Sequence, residues 1–133
     1  MLNNFHKNIK FTYEIEQQNK LPFLDVLLER EESSIPTAVH HKSINNDIYL
    51  HWNSSAPVNW KRGTIKTLIK RPYTICSNDI ILKKEIDHIR EVFKNVNGYS
   101  TWVIDDVIKK YKEENEIMNN NLNQASSTVF KKN

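Results

Sequence analysis

Five cations, Lys61, Arg62, Lys66, Lys70 and Arg71, stand within eleven residues, and no acidic residue interrupts them. Lys and Arg at that density are the side chains that bind sugar–phosphate backbones, because each neutralised phosphate releases condensed counterions. The rest of the chain does not share the bias. Residues 1–60 carry 5 basic and 7 acidic side chains and residues 72–133 carry 9 of each, so the whole net charge of +3 resides in this run. On a helix, Arg62, Lys66 and Lys70 recur every four residues along one face, with Ile65, Leu68 and Ile69 on the other. Such a helix docks its apolar side on a core and offers cations to phosphates, contacts that position nucleic acid without reading its bases. The plainer reading is a solvated surface helix. Those usually carry acidic partners three or four positions away, and residues 61–71 have none.

Other candidate chemistry is weaker. Asp105-Asp106 after Trp102 suggests the aromatic-x-Asp-Asp turn of polymerases, whose carboxylates hold two divalent ions. That motif places one residue between the aromatic and the acids, on a tight strand turn. Here Val103 and Ile104 intervene, and the pair falls in the first turns of an amphipathic helix, where acids complement the dipole. No catalytic residue is expected. His40 and His41, adjacent on a short strand, point to opposite faces and do not chelate one ion with His51, so neither a metal site nor a cofactor is expected. Cys76 reads as a small packing residue. With a single cysteine there is no intrachain disulfide and no thiol-based zinc site, which points to a reducing intracellular compartment, nucleus and cytoplasm being indistinguishable. No apolar run approaches the roughly 18–20 residues of a membrane span, so a soluble protein is expected.

The elements that position these residues follow from the apolar periodicity. Ile9, Phe11, Tyr13 and Ile15 alternate with polar residues, the period of a half-buried strand. Gln17 to Lys20 is a polar break, Leu21 to Arg30 reads as a second strand of an antiparallel hairpin, and Thr37 to Lys42 supplies a short third one. Tyr49, Leu50 and Trp52 anchor an irregular stretch. A first helix is expected from about Pro57 to Arg71, ended or kinked by Pro72, which removes a backbone donor. Ser77 or Asn78 caps a second helix with a stripe of Leu82, Ile86, Ile89 and Phe93, stopped at Asn97-Gly98. A third, capped by Ser100 or Thr101, carries Ile104, Val107, Ile108 and Tyr111 on one side. The expected fold is α+β: a short antiparallel hairpin or sheet over residues 1–45, a three-helix bundle with a helix-turn-helix arrangement over 46–117, and a disordered tail over 118–133, where Asn, Gln, Ser and Lys predominate.

An ordered set of segments carries a more specific resemblance: Ile9-Lys-Phe-Thr-Tyr-Glu14, Leu21-Pro-Phe-Leu-Asp-Val26, Tyr49-Leu-His51, Lys61-Arg-Gly63, Ile65 through Arg71, Ile75-Cys-Ser77 and Asn97-Gly-Tyr99. Together, over roughly residues 2–108, they resemble the downstream part of the reverse transcriptases of Penelope-like retroelements, a region often described as a helix-turn-helix domain. The sequence departs from that pattern at His40-His41, where an aromatic and a basic residue are usual, and at Pro72, where alanine is.

The resemblance implies that the strands are the end of a polymerase palm and the helices its thumb. Leu21, Pro22, Phe23, Leu24 and Asp25 would lie near the hairpin that grips a primer end, with Asp25 a structural hydrogen-bonding residue. Lys61, Arg62, Lys66, Lys70 and Arg71 would hold the backbone of a duplex or RNA–DNA hybrid. The fingers, the catalytic turn and the Gly-Ile-Tyr nuclease domain of such proteins are missing, so the chain is expected to be a non-catalytic fragment whose partners are nucleic acid and the missing domains of a parent polymerase. Self-association through an open sheet edge is a further expectation. A helix-turn-helix DNA-binding regulator is the alternative, and a non-functional retroelement relic a third reading.

Overall fold

The computed structural model describes residues 2–130. After one 3-10 turn at Leu2–Asn4 come three short strands, β1 (Lys20–Phe23), β2 (Val26–Glu29) and β3 (Thr37–Val39), and then three helices, α1 (Val58–Ile75), α2 (Asp79–Glu91) and α3 (Thr101–Phe130). The strands form one antiparallel sheet in the order β1-β2-β3. The expected architecture, a small antiparallel sheet followed by three helices, is the observed one.

The hairpin turns at a different place from the one expected. Its tight turn is Leu24-Asp25, inside the segment read as a single strand, with Phe23 opposite Val26. Leu24 takes φ +55 there, a left-handed conformation that costs a side-chain-bearing residue about 1–2 kcal/mol. The polar break at 17–20 does reverse the chain, with Gln18 and Asn19 both at positive φ, but only one bridge forms, between Gln17 and Lys20. Residues 9–16 therefore stay outside the sheet, and Phe11, Tyr13 and Ile15 are exposed. Alternation alone does not make a strand when nothing covers its apolar face.

β3 ties the sheet to the helices. Thr37 Oγ1 donates to the Ile75 carbonyl at 2.5 Å, Thr37 N donates to Ser77 Oγ at 3.0 Å, and Ser77 N donates to the Thr37 carbonyl at 3.1 Å. These bonds satisfy backbone groups at the C-terminal end of α1. That helix runs through Pro72 to Ile75, past the expected break. The proline lies in the last turn, so it forfeits one hydrogen bond, and its ring is fully buried.

The second and third helices form as their sequence signals predict. Asn78 caps α2 by accepting from Ile81 N at 2.9 Å. A π-helical turn, Val92–Val96, follows, and Tyr99 N then bonds back to the Phe93 carbonyl at 2.9 Å around Gly98, whose φ is +74. A Cβ at Gly98 would also stand 2.9 Å from the His51 ring, so glycine is required there twice over. The helical core joins Ile65 and Ile69 of α1, Ile86 and Ile89 of α2, and Val103, Ile104, Val107, Ile108 and Tyr111 of α3 around Phe93 and Tyr99. Phe93 sits stacked on Tyr49 and edge-on to Tyr99, with centroids at 5.6 and 5.0 Å. Asn97 is buried in the same turn and bonds Tyr49 N, the Asp47 carbonyl and the Val92 carbonyl.

α3 continues to Phe130, so residues 118–130, expected as disordered tail, are helical here, while 131–133 lie outside the described residues. Once a helix is nucleated by a packed segment, adding further turns costs little, even with indifferent side chains.

Candidate nucleic-acid interface

The basic run lies on α1, which packs beside α3, and that neighbour changes the meaning of the run. Lys61 is buried: its Nζ donates to the Trp52 and Ser54 carbonyls at 2.6 and 2.7 Å and lies 5.2 Å from the centre of the Trp52 ring. It fastens the preceding loop to the helix and is not available to a phosphate in this arrangement. Arg62 donates to Asp106 on α3, and Lys110 reaches the same carboxylate at 3.2 Å. The hydrogen bond from Arg62, and then that from Lys110, holds the Asp106 carboxyl below its ordinary range. Lys66 pairs with Glu114 at 2.7 Å. Arg71 reaches Asp25 at 3.2 Å, linking the end of α1 to the hairpin turn. Of the five, Lys70 alone is exposed with no ion pair among the described residues.

So the acids missing from residues 61–71 are supplied from far along the chain. A scan for partners three or four positions away misses them, because helix α3 brings Asp106 and Glu114 more than 40 residues across to the face of α1. The Asp105-Asp106 pair is thereby accounted for as well: Asp105 binds Arg90 Nε at 3.1 Å and Asp106 binds Arg62.

The hairpin residues singled out for a primer end lie together. Pro22, Phe23, Leu24 and Asp25 border one shallow depression with Glu14, His40 and Lys42, and Leu21 is half-buried beside it on β1. Phe23 and Leu24 are exposed at the tip. Asp25 anchors the turn, its carbonyl accepting from His40 N at 2.8 Å. His40, His41 and His51 do not converge, since His51 packs on Gly98 while His41 meets His88 of α2 edge-on at 5.0 Å.

Charges of both signs without ion pairs among the described residues lie on the helix-turn-helix: Lys83 and Lys84 on α2, Lys94 in the π-helical turn and Lys109 and Lys112 on α3, beside Asp79, Glu91, Glu113 and Glu116, all exposed. Sequence arithmetic hides the lysines, because Asp and Glu in the same segment cancel their sum. The wide groove between α2 and α3 is mixed in sign, with Lys83, Arg90 and Lys112 facing Asp79, Asp87 and Glu116 over a floor that includes Tyr73, Leu82 and Tyr111. The first turns of α3 expose Thr101, Trp102 and Asp105. No described helix is long and apolar enough to cross a membrane.

No curated protein and no solved structure matches the chain. Residues 48–109 match the family described as the animal helix-turn-helix domain, which names no reverse transcriptase. The matched stretch begins beside Tyr49 and ends in the packed part of α3, so it coincides with the cored helical unit. That stretch, a little under half of the chain, is similar to an animal helix-turn-helix domain.

Proposed function

We propose that the chain binds nucleic acid through this domain, holding a duplex or RNA–DNA hybrid by its backbone as the palm–thumb end of a retroelement polymerase, without catalysing nucleotide addition. The observation that carries the binding role is the domain match over a closed three-helix unit that displays unpaired lysines. Backbone rather than base recognition is supported by the first turns of α3. Base readout calls for Arg, Asn or Gln at the helix start, whereas this helix presents Thr101, Trp102 and two aspartates already paired. Lys70 is free for a phosphate. Lys66 can exchange Glu114 for one, since an ion pair this exposed contributes about 0–1 kcal/mol. The polymerase origin rests on the ordered segments from Ile9 to Tyr99, and the non-catalytic reading on the lack of a metal-binding aspartate turn in the sequence.

The match to a helix-turn-helix domain also favours a second reading, a sequence-specific DNA-binding regulator. One titration series separates the two. Binding to DNA duplex, RNA–DNA hybrid and single strands is measured across salt for the wild type, for K66A/K70A, and for K83A/K84A/K109A/K112A, each checked for folding by circular dichroism. A backbone clamp on α1 predicts binding indifferent to sequence, with K66A/K70A reducing the salt slope by about 1 for each phosphate no longer neutralised. A regulator predicts that a random duplex pool yields a preferred site and that the α2/α3 variant abolishes it. No binding at low salt by the folded wild type overturns both.

A further inference from the structure

Four donors from distant points in the sequence converge where the loop after β3 meets α2. His41 and Asp47 come from the loop, and Glu85 and His88 lie three residues apart on one helix face. One ligand atom each from His41, Asp47 and His88 lies within 4.8 Å of the other two. His88 Nε2 stands 3.6 Å from Asp47 Oδ2, close to the roughly 3.4 Å between neighbouring ligands of a tetrahedral ion with bonds of about 2.0–2.1 Å. Glu85 Oε1 is 2.8 Å from His41 Nε2.

From this geometry we infer a divalent transition-metal site of the zinc class, with His41, Asp47 and His88 as ligands and Glu85 as the carboxylate that orients His41 or completes the shell. Two features mark it as built. Asp47 is held at φ +55, and its Oδ1 accepts from Asn45 Nδ2 at 3.0 Å, which leaves Oδ2 toward His88. Its backbone carbonyl is in turn pinned by the buried Asn97 at 3.0 Å. The loop is thus pre-set before any ion arrives, which removes part of the ordering cost of binding. The cluster borders a small cavity also lined by Leu68, Ile89 and Phe93, with His41 exposed at its edge, so an ion can reach the donors from solvent.

The donor set selects the ion. Imidazole with carboxylate suits zinc, cobalt or nickel better than magnesium, which prefers oxygen and retains its waters. Arg71 borders the same cavity, but it is held by Asp25 at 3.2 Å, and Asp47 and Glu85 supply two negative charges against it and the ion. The bound ion would staple the loop carrying His41 and Asp47 onto α2 and so lock the sheet-side segment to the helix-turn-helix domain.

The test is calorimetric titration of the full, tag-free chain with zinc sulfate, alongside cobalt chloride followed by its visible absorption. The expected result is one ion per chain, visible bands of the intensity that four-coordinate cobalt gives, no competition by magnesium, and a higher melting temperature with zinc than with chelator. H41A/H88A should abolish the site, and E85Q should weaken it about 10–100-fold. D47N, which keeps the side-chain shape, removes the anionic ligand even if the histidine variant folds poorly. H6A/H51A should bind as the wild type does. Weak binding of several ions that H41A/H88A leaves unchanged would overturn the site and reveal ordinary surface histidines.

Discussion

In the N-terminal stretch, Ile9 and Phe11 leave about half of their surface in water and Tyr13 and Ile15 most of it, whereas Ile65, Ile69 and Phe93 of the helical unit are completely enclosed. Both regions have regular apolar patterns. The helices meet their complements within a few dozen residues, and three stripes close on one another with Tyr49 and Trp52 as a lid. Among the described residues, the N-terminal segment has a three-stranded sheet near it and no second layer over its apolar side chains. A sheet face needs a covering layer, and the pattern at 9–15 specifies which side would be covered without supplying the cover.

The sharpest way to break this contrast is to truncate one aromatic in each region. Phe93→Ala should cost about 3–5 kcal/mol in urea unfolding, the range for a buried phenylalanine that leaves a cavity. Phe11→Ala should stay within about 0.5 kcal/mol. Equal effects would mean that the N-terminal stretch is packed in solution. Next in size is Asn97→Ala, which strands the Tyr49 N–H and the Asp47 carbonyl together; about 2 kcal/mol is expected, with faster amide exchange at Tyr49 as the local readout. Lys61→Met keeps the stem packing but leaves the Trp52 and Ser54 carbonyls without their donor, and should cost about 1–2 kcal/mol. If Lys61 instead contributed chiefly to phosphate binding, this variant would be stable and lose affinity.

The smallest effect is pH-dependent. Because Arg62 and Lys110 depress the folded-state pKa of Asp106, its contribution to stability is complete above the unfolded carboxylate value and is lost as pH falls through the folded one. The melting-temperature gap between the wild type and Asp106→Asn should therefore be largest near neutrality and close as the pH drops below about 4. A constant gap would show that the seam between α1 and α3 owes nothing to that charge.

These outcomes bear on what was legible in the sequence. Local signals performed well: the Asn78 cap, the glycine after Asn97, and the stripes of α2 and α3 each encode their element within a few residues. The turn of the hairpin was not legible, because Leu24 at positive φ has no turn signature and is held in place by its neighbours. Pro72 does not end α1, since the cost of proline depends on how much helix follows it. The basic run was legible in its charge and not in its partners. Asp106, Glu114 and the carbonyls of Trp52 and Ser54 are tertiary neighbours that no spacing rule brings to Lys61, Arg62 or Lys66. The histidine and carboxylate cluster was hidden for the same reason, its members being separated by up to 47 positions.

Helix α3 outruns the core it packs on. It is anchored through Tyr111 and runs on to Phe130, and at a rise of 1.5 Å per residue the overhang reaches about 28 Å beyond the bundle. Beyond the Glu114 pair with Lys66, Ile117, Met118 and Leu122 are exposed, so the later turns gain little from apolar packing. Such a rod frays from its far end, and its amides should exchange in a gradient that steepens away from Tyr111. On warming, the overhang should lose its helix before the bundle melts, so far-ultraviolet ellipticity should fall ahead of the core transition.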